Sequence, residues 1–160
     1  ALNCLTWRDA AGSMSTQVIM IIVTSLALGK ALMGTGMANY LAMEFVGVVS
    51  DFPVPVILSA LMLIMAILTN LVSNNAAAVI GTPIAVAIAS ELGVDPVPFV
   101  LGVLFGANMS FATPYGYKTN LLILSAGGYK FSDFLRVGIP LTILMWLGFS
   151  LLLPQLYNLS

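Results

Sequence analysis

Two short polar runs interrupt an otherwise apolar sequence: Ser73, Asn74 and Asn75, and the stretch PYGYKTN at 114 to 120. Hydroxyls and primary amides in such a setting suit the reversible recognition of ions, the alternative being a hydrogen bond to a neighbouring helix. Ser and Asn side chains donate to anionic oxygens, while their carbonyls and the unwound backbone near Gly116 can coordinate sodium. Helix N-termini add unsatisfied amides and partial positive charge, and C-termini add carbonyls, so paired half-helices can hold an anion and a cation together. Neutral donors also let the anion leave. Lys118 is the one charge embedded in a break, where burial costs about a few kcal/mol unless the group is paired or hydrated. Three readings stay open for it: snorkelling to the interface, opposing a bound anion, or filling the space of a coupling cation.

Other polar residues point elsewhere. Thr69 and Asn70 are expected to hydrogen-bond neighbouring segments, an interaction worth about 0.6 kcal/mol on average inside membranes. Met109, Met145 and Trp146 read as packing residues, and Asn108 and Ser110 fit either role. The single Cys4 and the absence of His remove the usual zinc constellations. No acid pair accompanies Ser73 and its motif holds no base, so an intramembrane enzyme lacks support. A net charge of −1 spread over eleven charged residues offers no basic patch for nucleic acid.

The elements that must position these groups follow from composition. Hydrophobic residues make up 60% of the 160 and charged residues 7%, against roughly 25% charged in soluble domains. The uncharged runs 10 to 29, 52 to 90, 96 to 117 and 137 to 160 each reach the ~20 residues that a spanning helix needs. The chain is therefore read as all-α and integral to the membrane. Residues 17 to 33 form a first span with Trp7 as an interfacial aromatic before it. Residues 35 to 49 form an interfacial or oblique helix, since 15 residues reach only ~22 Å.

As one helix, residues 52 to 90 would be ~58 Å long, nearly twice the hydrocarbon thickness. They must turn back, and the cluster Thr69, Asn70, Ser73, Asn74, Asn75 supplies the turn. Two full crossings compete with a re-entrant hairpin over 54 to 90. The second arm counts only about 15 residues and carries Gly81, Thr82 and Pro83 as an interruption, which favours the re-entrant form, its tip covered by protein or water. Residues 97 to 126 form a broken span that stops at Pro114 and resumes at Asn120. Residues 135 to 153 form the last span, closed by Pro154.

With these crossings, Arg8, Lys130 and Arg136 share one face opposite Lys30, which places that face in the cytoplasm and the hairpin mouth and Ser160 outside. The expected location is the cell's inner (plasma) membrane. The opening residues lack a charged region followed by an apolar core, so no signal peptide is expected. A channel would need a continuous polar lining. Two clustered breaks instead favour a single alternating-access site, with an anion channel or uncoupled pore component as the alternative.

Three segments together carry a family resemblance: WRDA at 7 to 10, the SNN of LVSNNAAAVIGTP, and ATPYGYKTNLLILSAGGYKFSDFLRVGIPL. They resemble the C-terminal half of the divalent anion:sodium symporter family, within the ion transporter superfamily, over nearly the whole chain. The resemblance implies one half of an inverted-repeat transporter, with residues 1 to 160 as its C-terminal repeat. It implies a sulfate or dicarboxylate site with sodium, formed by a hairpin tip and an unwound helix. Carried over by position, Ser73, Asn74, Asn75, Tyr117 and Lys118 would contact the substrate, and Ser73, Asn74, Gly116, Thr119 and Asn120 would hold the cation, sodium. Asn75 stands where the family has Thr, and Tyr117 with Lys118 stand where dicarboxylate carriers tend to have Thr and Pro, which favours sulfate. The implied partners are a small inorganic or organic anion, the lipid bilayer and the N-terminal half of the same transporter, with a homodimer left open.

Overall fold

The computed structural model describes residues 16–159, which form seven α-helices and, among those residues, no strand. Cys4, Trp7 and Arg8 with the rest of WRDA, and Ser160, lie outside the described residues, and so do the expectations placed on them. Helix α1 (Thr16–Gly34) passes through Gly36, at a φ of 73° that a residue without Cβ adopts freely, into α2 (Met37–Val49). The Leu26–Gly34 part of α1 and α2 meet at 70°.

Helix α3 (Val54–Leu71) begins behind Pro53 with Pro55 in its first turn, where a missing N–H leaves no hydrogen bond unmade. It ends at Val72 in extended conformation, and Ser73 starts α4 (Asn74–Leu92) by accepting from the Ala76 N–H at 3.3 Å. Gly93, with a φ of 66°, closes α4. Asp95 then caps α5 (Pro96–Asn108), its carboxylate accepting from the Val97 N–H at 2.9 Å. After an irregular stretch come α6 (Lys118–Ala126) and, past Gly127 and Gly128, α7 (Phe131–Leu156). The Asp133 carboxylate takes the Lys130 N–H at 2.8 Å and fixes the start of α7.

Close approach of backbones organises the bundle. Ile57, Leu58, Leu61, Met62, Met65, Ala66 and Thr69 recur at helical spacing and form one buried stripe on α3, which packs on α5 and α7. The facing side of α5 carries Gly102 and Gly106, four residues apart. A Cβ on Gly106 would lie 2.7 Å from the Met62 carbonyl oxygen, and one on Gly102 2.7 Å from Leu58 Cδ1. Where lipid is as apolar as a side chain, such small-residue contacts drive association through dispersion. Helix α7 joins by polar and aromatic contacts: Trp146 Nε1 donates to the Ser59 carbonyl at 3.0 Å, the Ser59 and Ser150 hydroxyls lie 2.8 Å apart, and Phe105 stacks on Phe149 at 4.0 Å.

Helices α3, α4 and α7 are each long and apolar enough to cross a membrane, and the bent α1–α2 pair would add a fourth span. The protein is an all-helical integral membrane protein. Several boundaries differ from those read in the sequence. The second hairpin arm is not interrupted at Gly81, Thr82 and Pro83: α4 runs through them for 19 residues. Gly81 is buried because Met65 and Val103 occupy the space of a Cβ, and the Thr82 hydroxyl bonds the Ala78 carbonyl at 2.7 Å. Pro83 therefore removes a single N–H from a helix that packing maintains. The two arms measure 18 and 19 residues, about 27 and 29 Å at ~1.5 Å per residue. Helix α5 stops at Asn108, before Pro114, and α7 runs past Pro154 to Leu156.

Candidate functional site

The early end of α5 has an identifiable cause in Asn70, on the last turn of α3. Its Nδ2 donates to the Met109 carbonyl at 2.9 Å and to the Ala66 carbonyl at 2.7 Å. Its Oδ1 accepts from the Ala112 and Thr113 N–H groups at 3.0 and 3.1 Å, and the Thr113 hydroxyl donates to the Asn70 carbonyl at 2.7 Å. One side chain thus satisfies backbone groups that would otherwise need a further turn of helix. Residues 109–117 are held as an irregular loop around the end of α3.

Glycine completes that clamp at two points. A Cβ on Gly116 would lie 2.6 Å from the Thr69 carbonyl oxygen and 2.9 Å from Ser110 Cβ, so only glycine lets the loop pass this close. On the other side the Phe111 carbonyl presses on Gly138 of α7 where a Cβ would stand. Asn120 ties the start of α6 back to the loop, its Nδ2 donating to the Ser110 carbonyl at 3.0 Å and the Thr113 carbonyl at 3.4 Å.

Ser73, Asn75 and Lys118 line one cleft of about 340 Å³, with Thr24 and Leu28 of α1 and Ala76 and Val79 of α4 as its other walls. The first turn of α4 and its capping Ser73 form one wall of this cleft. The loop brings Lys118, the first residue of α6, to the same place. No carboxylate lines the cleft among the described residues. Its polar lining can therefore present hydroxyl, amide and ammonium donors to an oxyanion.

The remaining predicted site residues are placed differently. Asn74 is half-buried and turns inward, its side chain 2.9 Å from the buried Thr69 hydroxyl. That hydroxyl also sits 2.6 Å from the Ala107 carbonyl. Its one proton is shared between the Ala107 carbonyl and the Asn74 side-chain carbonyl, Oδ1. Gly116 and Asn74 both abut Thr69, which gathers carbonyl and hydroxyl oxygens in one knot beside the cleft. Thr119 is exposed, Asn120 is engaged with loop carbonyls, and Tyr117 is 52% exposed and not part of the cleft lining.

Thr24 is the cleft residue that the sequence reading passed over. Its hydroxyl donates to the Met20 carbonyl at 2.7 Å, the ordinary back-bond of a threonine in a membrane helix. Nothing in the local pattern of α1 separates it from such a residue; only the packing of α1 on α4 brings it to the hairpin tip. Thr69 and Asn70 bond neighbouring segments, as their sequence setting leads one to expect, and those segments are the ones that shape the site.

Comparison with known proteins adds a second line of information. A family model described as citrate transporter matches residues 1–159. An uncharacterized transporter of Synechocystis sp. is 34% identical over 158 residues, covering 99% of this chain and 26% of the relative. Sodium/sulfate cotransporter 1 of Chlamydomonas reinhardtii is 29% identical over 146 residues, 91% of this chain and 16% of the relative. Solute carrier family 13 member 2 of Rattus norvegicus is 26% identical over 147 residues, 92% of this chain and 25% of the relative. The chain spans about a quarter or less of the length of these relatives.

Proposed function

Because the chain belongs to the citrate transporter family and its motifs resemble the divalent anion:sodium symporter family, we propose that it is the C-terminal repeat of a secondary carrier for a small divalent anion. Sulfate is the favoured substrate over a dicarboxylate, and sodium the coupling ion. The observation that carries the reading is the cleft shared by Ser73, Asn75 and Lys118 at the start of α4. An oxyanion there meets the α4 amides, a hydroxyl, an amide and an ammonium, and no opposing carboxylate among the described residues. The Thr69 carbonyl and hydroxyl oxygens, which Gly116 and Asn74 abut, are hard donors of the kind a sodium ion takes, and Asn74 stands between Ser73 and Asn75 in the chain. Binding of one ion then favours the other.

Relatives named as sodium/sulfate cotransporters support sulfate and sodium. The description of the family model supports a carboxylate competitor. The remaining length of the relatives leaves room for a partner repeat that covers the open side of the cleft and the exposed face of α6. Entry of the α3–α4 hairpin from the outer face, a plasma-membrane location and an external C-terminus belong to the same reading; with arms of 18 and 19 residues the hairpin is long enough to reach across as well as to re-enter. The family consists of transporters, and the site is assigned no catalytic role.

Uptake of labelled sulfate by the full-length protein in proteoliposomes tests this. An inward sodium gradient should drive sulfate above its equilibrium distribution, with citrate and succinate as weaker competitors. Passive equilibration insensitive to the gradient would indicate a channel, and uptake of citrate or succinate without sulfate would overturn the substrate.

A further inference from the structure

Lys118 is fixed in place by both of its flanks. Two residues before it, Gly116 lies against the backbone of Thr69 and Asn70; two residues after it, Asn120 bonds the Ser110 and Thr113 carbonyls. Its side chain therefore starts from a held backbone and lines the cleft with Ser73 and Asn75. The nearby acid of α7, Asp133, accepts from the Lys130 N–H and lines a different cavity, with Phe111 and Asn120, on the α7 side. Lys30, on α1, lines a separate groove with Ala78, Thr82 and Pro83 of α4.

We propose that Lys118 is a built-in counter-cation that replaces one sodium ion in the charge balance of the anion site. The inference rests on the reading of the cleft as the substrate site and adds a stoichiometric consequence. A divalent anion held away from water requires nearly compensating positive charge, because an uncompensated charge in a low-dielectric site is strongly disfavoured. Neutral donors and helix dipoles supply part of that compensation, and an ammonium in the same cleft supplies one full charge. One sodium ion fewer then has to accompany each anion. A carrier with an uncharged residue at this position would take up one more.

The test measures sulfate binding to purified full-length protein across a series of sodium concentrations. The slope of log Kd against log sodium concentration counts the sodium ions taken up with the anion, whether or not a variant still transports. In Lys118→Gln the sulfate Kd at low sodium should rise roughly 10- to 150-fold, the range for loss of a charge-assisted bond, and the slope should steepen by one ion. Lys118→Met, which keeps the apolar stem, should do the same, and Lys118→Arg should keep the wild-type slope. An unchanged slope in Gln and Met variants that bind sulfate overturns the proposal, including the case in which wild type and variants all show no sodium dependence. Ser73→Ala and Asn75→Ala separate the two levels. If neither weakens sulfate binding, the site itself is misplaced. If both do and the Lys118 slopes stay equal, only the counter-cation role fails.

Discussion

Replacing Asn70 with alanine should release the irregular loop from the end of α3. In the native chain the Asn70 side chain pairs the Met109 carbonyl and the Ala112 and Thr113 N–H groups, all three in that loop. Its fourth bond, to the Ala66 carbonyl, duplicates a partner that the helix already supplies. Three partly buried loop groups therefore lose their partners in Asn70→Ala. At about 1 kcal/mol for each such group, the clamped loop loses about 3 kcal/mol relative to alternative conformations. That corresponds to roughly 100-fold in the population of the arrangement that presents Lys118 to the cleft. Sulfate affinity of the full-length variant, measured by calorimetry in detergent or nanodiscs, should fall by up to that factor, with thermal stability lowered in parallel. Asn70→Asp keeps the two acceptor contacts and should fall between alanine and wild type. Wild-type affinity and stability in Asn70→Ala would refute the reasoning, because it would mean the loop holds its shape without this side chain.

Other expectations follow from the same packing. Gly116→Ala places a Cβ 2.6 Å from the Thr69 carbonyl oxygen, so the loop must shift; a cost of about 1 to 3 kcal/mol should appear as weaker sulfate binding. Gly138→Ala drives a methyl into the Phe111 carbonyl from the opposite side, and its loss should show first in thermal stability. Trp146→Phe removes the Nε1 bond to the Ser59 carbonyl at 3.0 Å, which should cost about 1 kcal/mol of stability or less and leave the sulfate Kd unchanged. The 160-residue chain by itself should not accumulate sulfate in proteoliposomes, because the open side of the cleft needs covering protein.

The polar breaks were legible because polar side chains in long apolar sequence have few explanations. Ser73 to Asn75 could be recognised as a turn from length alone, since residues 52 to 90 overrun a bilayer, and the structure turns at Val72 and Ser73. Pro83 misled because its effect on a helix depends on whether neighbours maintain the axis. That information lies in Met65 and Val103 packing on Gly81, far away in sequence. The end of α5 was read at Pro114, the strongest local breaker. The actual stop at Asn108 depends on Asn70, whose bonds span about forty residues. Asn74 and Asn75 look alike in sequence, yet the roughly 100° between consecutive residues of a helix sends the first to Thr69 and the second to the cleft. A side chain's direction on a helix is set by its angular position, which a motif does not encode until the helix start is known.

The central claim is that the divalent anion sits between the start of α4 and the start of α6. A structure of the full-length protein soaked with selenate, read by its selenium anomalous signal, tests it most directly. The account predicts a peak in the cleft within hydrogen-bonding reach of Ser73 Oγ, Asn75 Nδ2 and Lys118 Nζ. A selenate bound elsewhere, as in the cavity lined by Phe111, Asn120 and Asp133, with the cleft empty at saturating concentration, would contradict it.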